Sequence, residues 1–71
     1  MTVILDEKTL ANLIKSGRKK AGLSQLELAE LAGVGKTLVF NLEKGQVNVQ
    51  FENLLKILRV LNIKIHAEAP E

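Results

Sequence analysis

Lys36, Thr37 and Asn41 fall on one side of a short stretch bounded by Gly35 and Gly45. They offer an ammonium donor, a hydroxyl and a carboxamide, a set suited to hydrogen-bonded recognition. Groups that break bonds are scarce. The chain has two serines, one histidine (His66) and no cysteine, and it shows neither a glycine-rich phosphate loop nor a paired catalytic constellation. It is also too small to enclose a typical ligand pocket of about 300–1,000 Å³. The expectation is a protein that binds and is not an enzyme, with no cofactor. One histidine without cysteine argues against a metal site, and His66, alone on the polar side of its segment, reads as a surface residue.

These groups need a frame, and the frame is small. Seventy-one residues hold a single core. With 46% hydrophobic and 25% charged residues, the composition is that of a folded domain and not of a disordered chain. The aromatics are Phe40 and Phe51, so the core must be aliphatic. A chain of this size buries only about 60% of the surface its unfolded form exposes, and no disulfide reinforces it. A second copy or another partner is therefore expected. Ten basic and eight acidic side chains leave a net charge of +2, a mild excess compatible with a nucleic-acid partner. No apolar run approaches the ~18 residues of a membrane span. The start Met1-Thr2-Val3-Ile4-Leu5, followed by Asp6 and Glu7, lacks the basic region of a secretion signal. These features predict a cytoplasmic protein with no membrane partner.

Glycine, asparagine and serine cut the sequence at close intervals, which predicts short helices and tight turns. A first helix is expected from about Glu7 to Ala21, with Leu10, Leu13, Ile14, Gly17 and Ala21 as one apolar stripe, Arg18 at its edge and Gly22 as the stop. Lys15, Lys19 and Lys20 crowd its last turns, where the helix dipole favours cations. Ser24-Gln25-Leu26-Glu27 reads as a capping box opening a second, two-turn helix that Gly33 ends. A third spans about Gly35 to Lys44, with Val39 and Leu42 spaced toward the core. The turn between these two is too short for an antiparallel pair, so they must cross steeply. A fourth is expected from about Val49 to Leu61 behind an Asn48 cap. Its stripe of Phe51, Leu54, Leu55, Leu58 and Leu61, widened by Ile57, is broad for a lone monomer, and Val60 falls on the polar side. From Ile63 to Glu68 apolar and polar residues alternate, a strand signature. A lone strand leaves its backbone unpaired, so it must pair with residues 3–5 or with the same tail of a twin subunit. The predicted organisation is one domain over 1–71: an arm at 1–6, a helical core at 7–61, a strand at 62–68 and a tail at 69–71.

The run Leu23-Ser24-Gln25-Leu26-Glu27-Leu28-Ala29-Glu30-Leu31-Ala32-Gly33-Val34, followed by Val39 and Leu42-Glu43-Lys44-Gly45, resembles the helix-turn-helix of lambda-repressor/Cro-like (XRE) DNA-binding proteins. The shared pattern is S/T-Q-x-E-L-A, three residues and the turn glycine, then I/V-x-x-[LFW]-E-x-G. The likeness covers about Leu10 to Ile63 and implies an all-α, compact four- to five-helix domain, here with a short C-terminal strand. Gly33-Val34-Gly35, Leu38, Leu54-Leu55-x-Ile57-Leu58 and the strand that follows are similar to the HipB-like antitoxin branch. Members of that branch are dimers, repress their own operon and restrain a HipA-like kinase toxin.

The resemblance implies that the outer side of the third helix enters the major groove. Lys36 would donate to guanine O6 and N7, Asn41 would pair with adenine, and Thr37 would use its hydroxyl or pack its methyl on thymine. Gln25, at the start of the second helix where amides point outward, is expected on the phosphate backbone, and Lys44 with Asn48 on a second phosphate. Phe40 departs from the family's usual polar residue. It is expected to contact a thymine methyl, to stack on a sugar, to mark a protein-binding surface, or to signal a motif that has lost its DNA role. Leu26 and Leu31 are likewise apolar where polar residues are common. The resemblance also implies a buried salt bridge between Arg18 and Glu43. In the first reading the chain is a repressor and antitoxin that binds a palindromic double-stranded operator as a homodimer, its third helices about 34 Å apart, with Leu58, Leu61, Ile63 and Ile65 in the seam. In the second it mainly caps a toxin and touches DNA weakly. A stand-alone regulator is the third.

Overall fold

The computed structural model describes residues 6–46 and 48–64. Among these residues four helices follow one another: α1 (Glu7–Lys20), α2 (Gln25–Ala32), α3 (Lys36–Glu43) and α4 (Phe51–Val60). Local chemistry sets their ends. Asp6 caps α1 by accepting the Thr9 amide at 2.7 Å, and Arg18, Lys19 and Lys20 occupy its last turn, where cations meet exposed carbonyls. Ser24 and Glu27 close the capping box at α2. The Glu27 amide donates to Ser24 Oγ at 3.0 Å and the Ser24 amide to Glu27 Oε1 at 2.8 Å. Gly33 ends α2 at φ 73°, in the left-handed region where a Cβ would be strained. There its amide reaches the carbonyls of Ala29 and Glu30, and the Val34 amide donates to the Ala29 carbonyl at 3.0 Å, turning the chain directly into α3.

The core is aliphatic, as composition requires. Leu10, Ile14, Leu28, Ala29, Ala32, Val39, Leu42, Ile57 and Leu58 form one buried cluster to which all four helices contribute. Ala29, 1% exposed, leaves room for close approach where α2 packs on its neighbours α3 and α4. Both phenylalanines stand outside the core, Phe40 at 45% and Phe51 at 64% exposure.

Several sequence expectations are corrected. The buried side of α1 is Leu10, Ala11 and Ile14 with Gly17 beside them, so Leu13, outside that arc, is exposed, and Ala21 is exposed as the C-cap beyond the last turn. Helix α4 starts at Phe51 with Gln50 as its N-cap, not behind Asn48, because Val49 packs against the core before the chain turns. Its inner side is built from Leu54, Ile57, Leu58 and Leu61, with Val60 also packed there and not on a polar side. Leu58 is 1% exposed within the subunit, which removes it from any seam with a second chain. Leu61 and Ile63 also pack inward. They lie across Gly17, where a Cβ would meet Ile63 Cδ1 at 3.3 Å and Leu61 Cδ1 at 3.6 Å. Residues 61–64 form a turn and coil. Most of the expected strand at 62–68, Ile65 of the expected seam and His66 among it, lies outside the described residues, as do residues 1–5.

Leu28, at 0% exposure, offers a direct check on this core. Leu28→Ala is expected to lower unfolding free energy by about 2–5 kcal/mol, a large fraction of the total for so small a domain. Thermal or urea unfolding followed by circular dichroism measures it, and an unchanged midpoint would contradict the packing.

Candidate nucleic-acid interface

Helix α3 has two unlike sides. At about 100° per residue, Lys36, Phe40, Lys44, Thr37 and Asn41 cover one arc, and Leu38, Leu42, Val39 and Glu43 the other. The second arc faces inward. Val39 and Leu42 are buried, at 0% and 1% exposure, and Leu38 packs against the same core. On the first arc Lys36, Thr37, Phe40 and Lys44 are exposed and Asn41 is half-buried.

An ion pair holds the inner side in place. Arg18 of α1 forks onto Glu43, its Nε donating to Oε2 at 2.6 Å and its Nη2 to Oε1 at 3.0 Å. The remaining arm of the guanidinium, Nη1, donates to the Leu23 carbonyl in the α1–α2 turn at 2.8 Å. Gln25, the first residue of α2, donates its side-chain amide to Glu43 Oε1 at 3.2 Å. The side chains of Arg18 and Glu43 are 12% and 3% exposed, so the pair sits largely out of water. Burial pushes the Glu43 carboxyl up, but the hydrogen bonds from Arg18 and Gln25 and the nearby positive charge outweigh it and hold the carboxyl below its usual value of 4.5. The Arg18 guanidinium is held above its ordinary value, chiefly by its hydrogen bond to Glu43. The Arg18–Glu43 bridge expected from the sequence is therefore present. Gln25, expected on phosphate, has its side chain turned to Glu43 and is half-buried. Its backbone amide and that of Leu26, in the first turn of α2, have no acceptor within the helix.

The outer face continues past α3. Thr37, Asn41 and Asn48 line one open groove of ≈ 360 Å³ together with Gln46 and the apolar floor of Leu38, Leu42 and Val49. Asn48 thus joins the others without capping a helix. Gln46 was not among the sequence candidates. Its signal was its place just after the Gly45 stop, where the Gln46 amide donates to the Asn41 carbonyl at 2.9 Å and the exposed residue lines the groove. Lys44 stands apart from the groove, its ammonium 4.6 Å from the centre of the Phe40 ring. Lys15, Lys19 and Lys20 are exposed on α1.

A capped helix, a glycine turn and a second helix with its inner side locked and its outer side bare define a helix-turn-helix domain of the lambda-repressor-like kind. The HTH_3 helix-turn-helix family model matches residues 14–66, and the chain belongs to that family. Over 46 residues it is 44% identical to an uncharacterized HTH-type transcriptional regulator of Haemophilus influenzae, covering 65% of this chain and 47% of that protein. Over 54 residues it is 41% identical to the HTH-type transcriptional regulator SinR of Bacillus subtilis, covering 75% of this chain and 49% of SinR. The chain thus spans about half the length of these two relatives. Among solved structures, a chain of a HipA–HipB–O2–O3 complex superposes with a TM-score of 0.80 at 27% identity over 100% of both chains. SinR in complex with DNA superposes at 0.71 with 38% identity, over 78% of this chain and 89% of that one.

Glu43→Ala leaves a largely buried guanidinium without its counter-charge and is expected to destabilise the fold by about 3–5 kcal/mol. The folded-state value of Glu43 lies below the unfolded one, so its contribution is complete above the unfolded value and disappears as pH falls through the folded value. Melting temperatures measured from pH 7 down to pH 3 should fall most steeply below about pH 4.5. Glu43→Gln should flatten that limb, and a wild-type limb unchanged in Glu43→Gln would exclude the pair as its source.

Proposed function

We propose that this protein is a sequence-specific transcriptional repressor that seats the outer side of α3 in the major groove of a palindromic operator. In this reading it binds as a homodimer in the cytoplasm and serves as a HipB-like antitoxin that restrains a HipA-like kinase toxin. The observation that carries the reading is the bare hydrogen-bonding face of α3, set against an inner side that the core and the Arg18–Glu43 pair immobilise. Lys36 is assigned to guanine O6 and N7, Asn41 to adenine, and Thr37 to a hydroxyl or methyl contact beside them. Gln46 and Asn48 extend the same groove, and the amide end of α2 with Gln25, together with Lys44, meets phosphate.

The likeness to HTH-type transcriptional regulators and to a DNA-bound SinR supports the DNA part of this reading. The full-length superposition on a chain from a HipA–HipB complex supports the antitoxin part. Exposed Leu26 and Leu31, at 48% and 64%, favour a protein contact on α2 in addition to DNA. With Leu58 inside the core, the dimer seam is assigned to the outer flanks of Leu61 and Ile63 and to Ile65.

A duplex selected from a random pool by the full chain tests the reading. Lys36→Ala and Asn41→Ala should each weaken binding by about 1–3 kcal/mol, with affinity falling steeply as salt rises. If both variants bind as the wild type does, the groove assignment is wrong. Size-exclusion chromatography at micromolar concentration should return a dimer, and a monomer would remove the two-fold arrangement. A kinase encoded next to this gene should co-purify with the chain, and failure to do so would leave a stand-alone regulator.

A further inference from the structure

Phe40 is the one residue of the outer α3 face that can neither donate nor accept a conventional hydrogen bond, yet it stands at the middle of that face. Lys36 lies one turn before it and Lys44 one turn after it. The Lys44 ammonium, 4.6 Å from the ring centre, is within cation–π range, which holds the ring on the helix surface and leaves it 45% exposed. An apolar protein seam would surround such a ring with other apolar side chains. Its neighbours on α3 are instead Lys36, Thr37, Asn41 and Lys44, a setting matched to a polyanion.

In the major groove the apolar feature of a base edge is the 5-methyl group of a pyrimidine. We propose that Phe40, steadied by Lys44, is a specificity-determining residue that reads a pyrimidine 5-methyl group, carried by thymine or by 5-methylcytosine. The inference rests on the DNA-binding reading above. Asn41, the next residue, is suited to adenine, so the sensed methyl belongs to the same base pair or an adjacent one.

The test uses the full chain and two random duplex pools, one ordinary and one with every cytosine 5-methylated. In the best duplex from each pool, methyl groups are deleted singly, with uracil replacing thymine and cytosine replacing 5-methylcytosine. Dissociation constants are then measured for wild type, Phe40→Ala and Phe40→Leu. One methyl per half-site should matter, its loss weakening the wild type about fourfold, the share of one buried methyl group. Phe40→Ala should be indifferent to the same deletion, and Phe40→Leu should retain part of the effect. The pool that yields the sensitive position identifies which base carries the methyl. A wild type that binds duplex but ignores every deletion would overturn this inference alone, as would Phe40→Ala with undiminished sensitivity. If Phe40→Ala instead loses self-association, the ring belongs to a protein seam and the inference falls. Enrichment of no duplex from either pool would overturn the DNA-binding reading together with it. Phe40 lies outside the core, so Phe40→Ala should keep its melting temperature, which separates a lost contact from a lost fold.

Discussion

The orientation of α3 depends on one largely buried carboxylate. Glu43 receives two hydrogen bonds from Arg18 and one from Gln25, while Arg18 also holds the Leu23 carbonyl. The last turn of α3 is thereby tied to α1, to the turn that follows it and to the start of α2. An apolar cluster of similar volume would hold these elements together about as well, but it lacks direction. A forked guanidinium–carboxylate contact fixes both distance and plane. What the pair adds to that packing is a set of directed contacts from α1 and the start of α2 to the last turn of α3.

That constraint matters because the elements are short. Helices α2 and α3 have eight residues each, below the ~12–15 at which isolated helices persist in water. Their stability comes from the capping box, the Gly33 turn and the buried stripe of Leu28, Ala29, Ala32, Val39 and Leu42. With those residues committed inward, the opposite arc of α3 stands outside the buried cluster, with Lys36, Thr37, Phe40 and Lys44 exposed and Asn41 half-buried.

Much of this was legible in the residues. The Ser24–Glu27 box, the glycine stops and the spacing of Val39 and Leu42 located α2 and α3 to within a residue, because capping and periodicity are local physics. The Arg18–Glu43 bridge followed from resemblance, since nothing local links residues so far apart in sequence. The misreadings arose where several apolar residues competed for a limited core. On α1, Ala11 and not Leu13 completes the buried arc. On α4, intramolecular packing takes up Leu54, Ile57, Leu58 and Leu61 of the broad stripe, with Leu61 and Ile63 lying over Gly17, while Phe51 stays exposed. Asn48 has the chemistry of a cap, but Gln50 takes that place and Asn48 lines the groove instead. Gln46 joined that groove through loop geometry, which carries no periodic signal.

The outer side of α3 is the proposed duplex-binding surface. Amide chemical-shift mapping of the full chain, titrated with a duplex it selects from a random pool, tests this most directly. The largest perturbations should fall on Lys36, Thr37, Asn41, Gln46 and Asn48, with smaller ones at the Gln25 end of α2 and little change along α1 or α4. Perturbations centred on α1 or α4, with α3 silent, would contradict it.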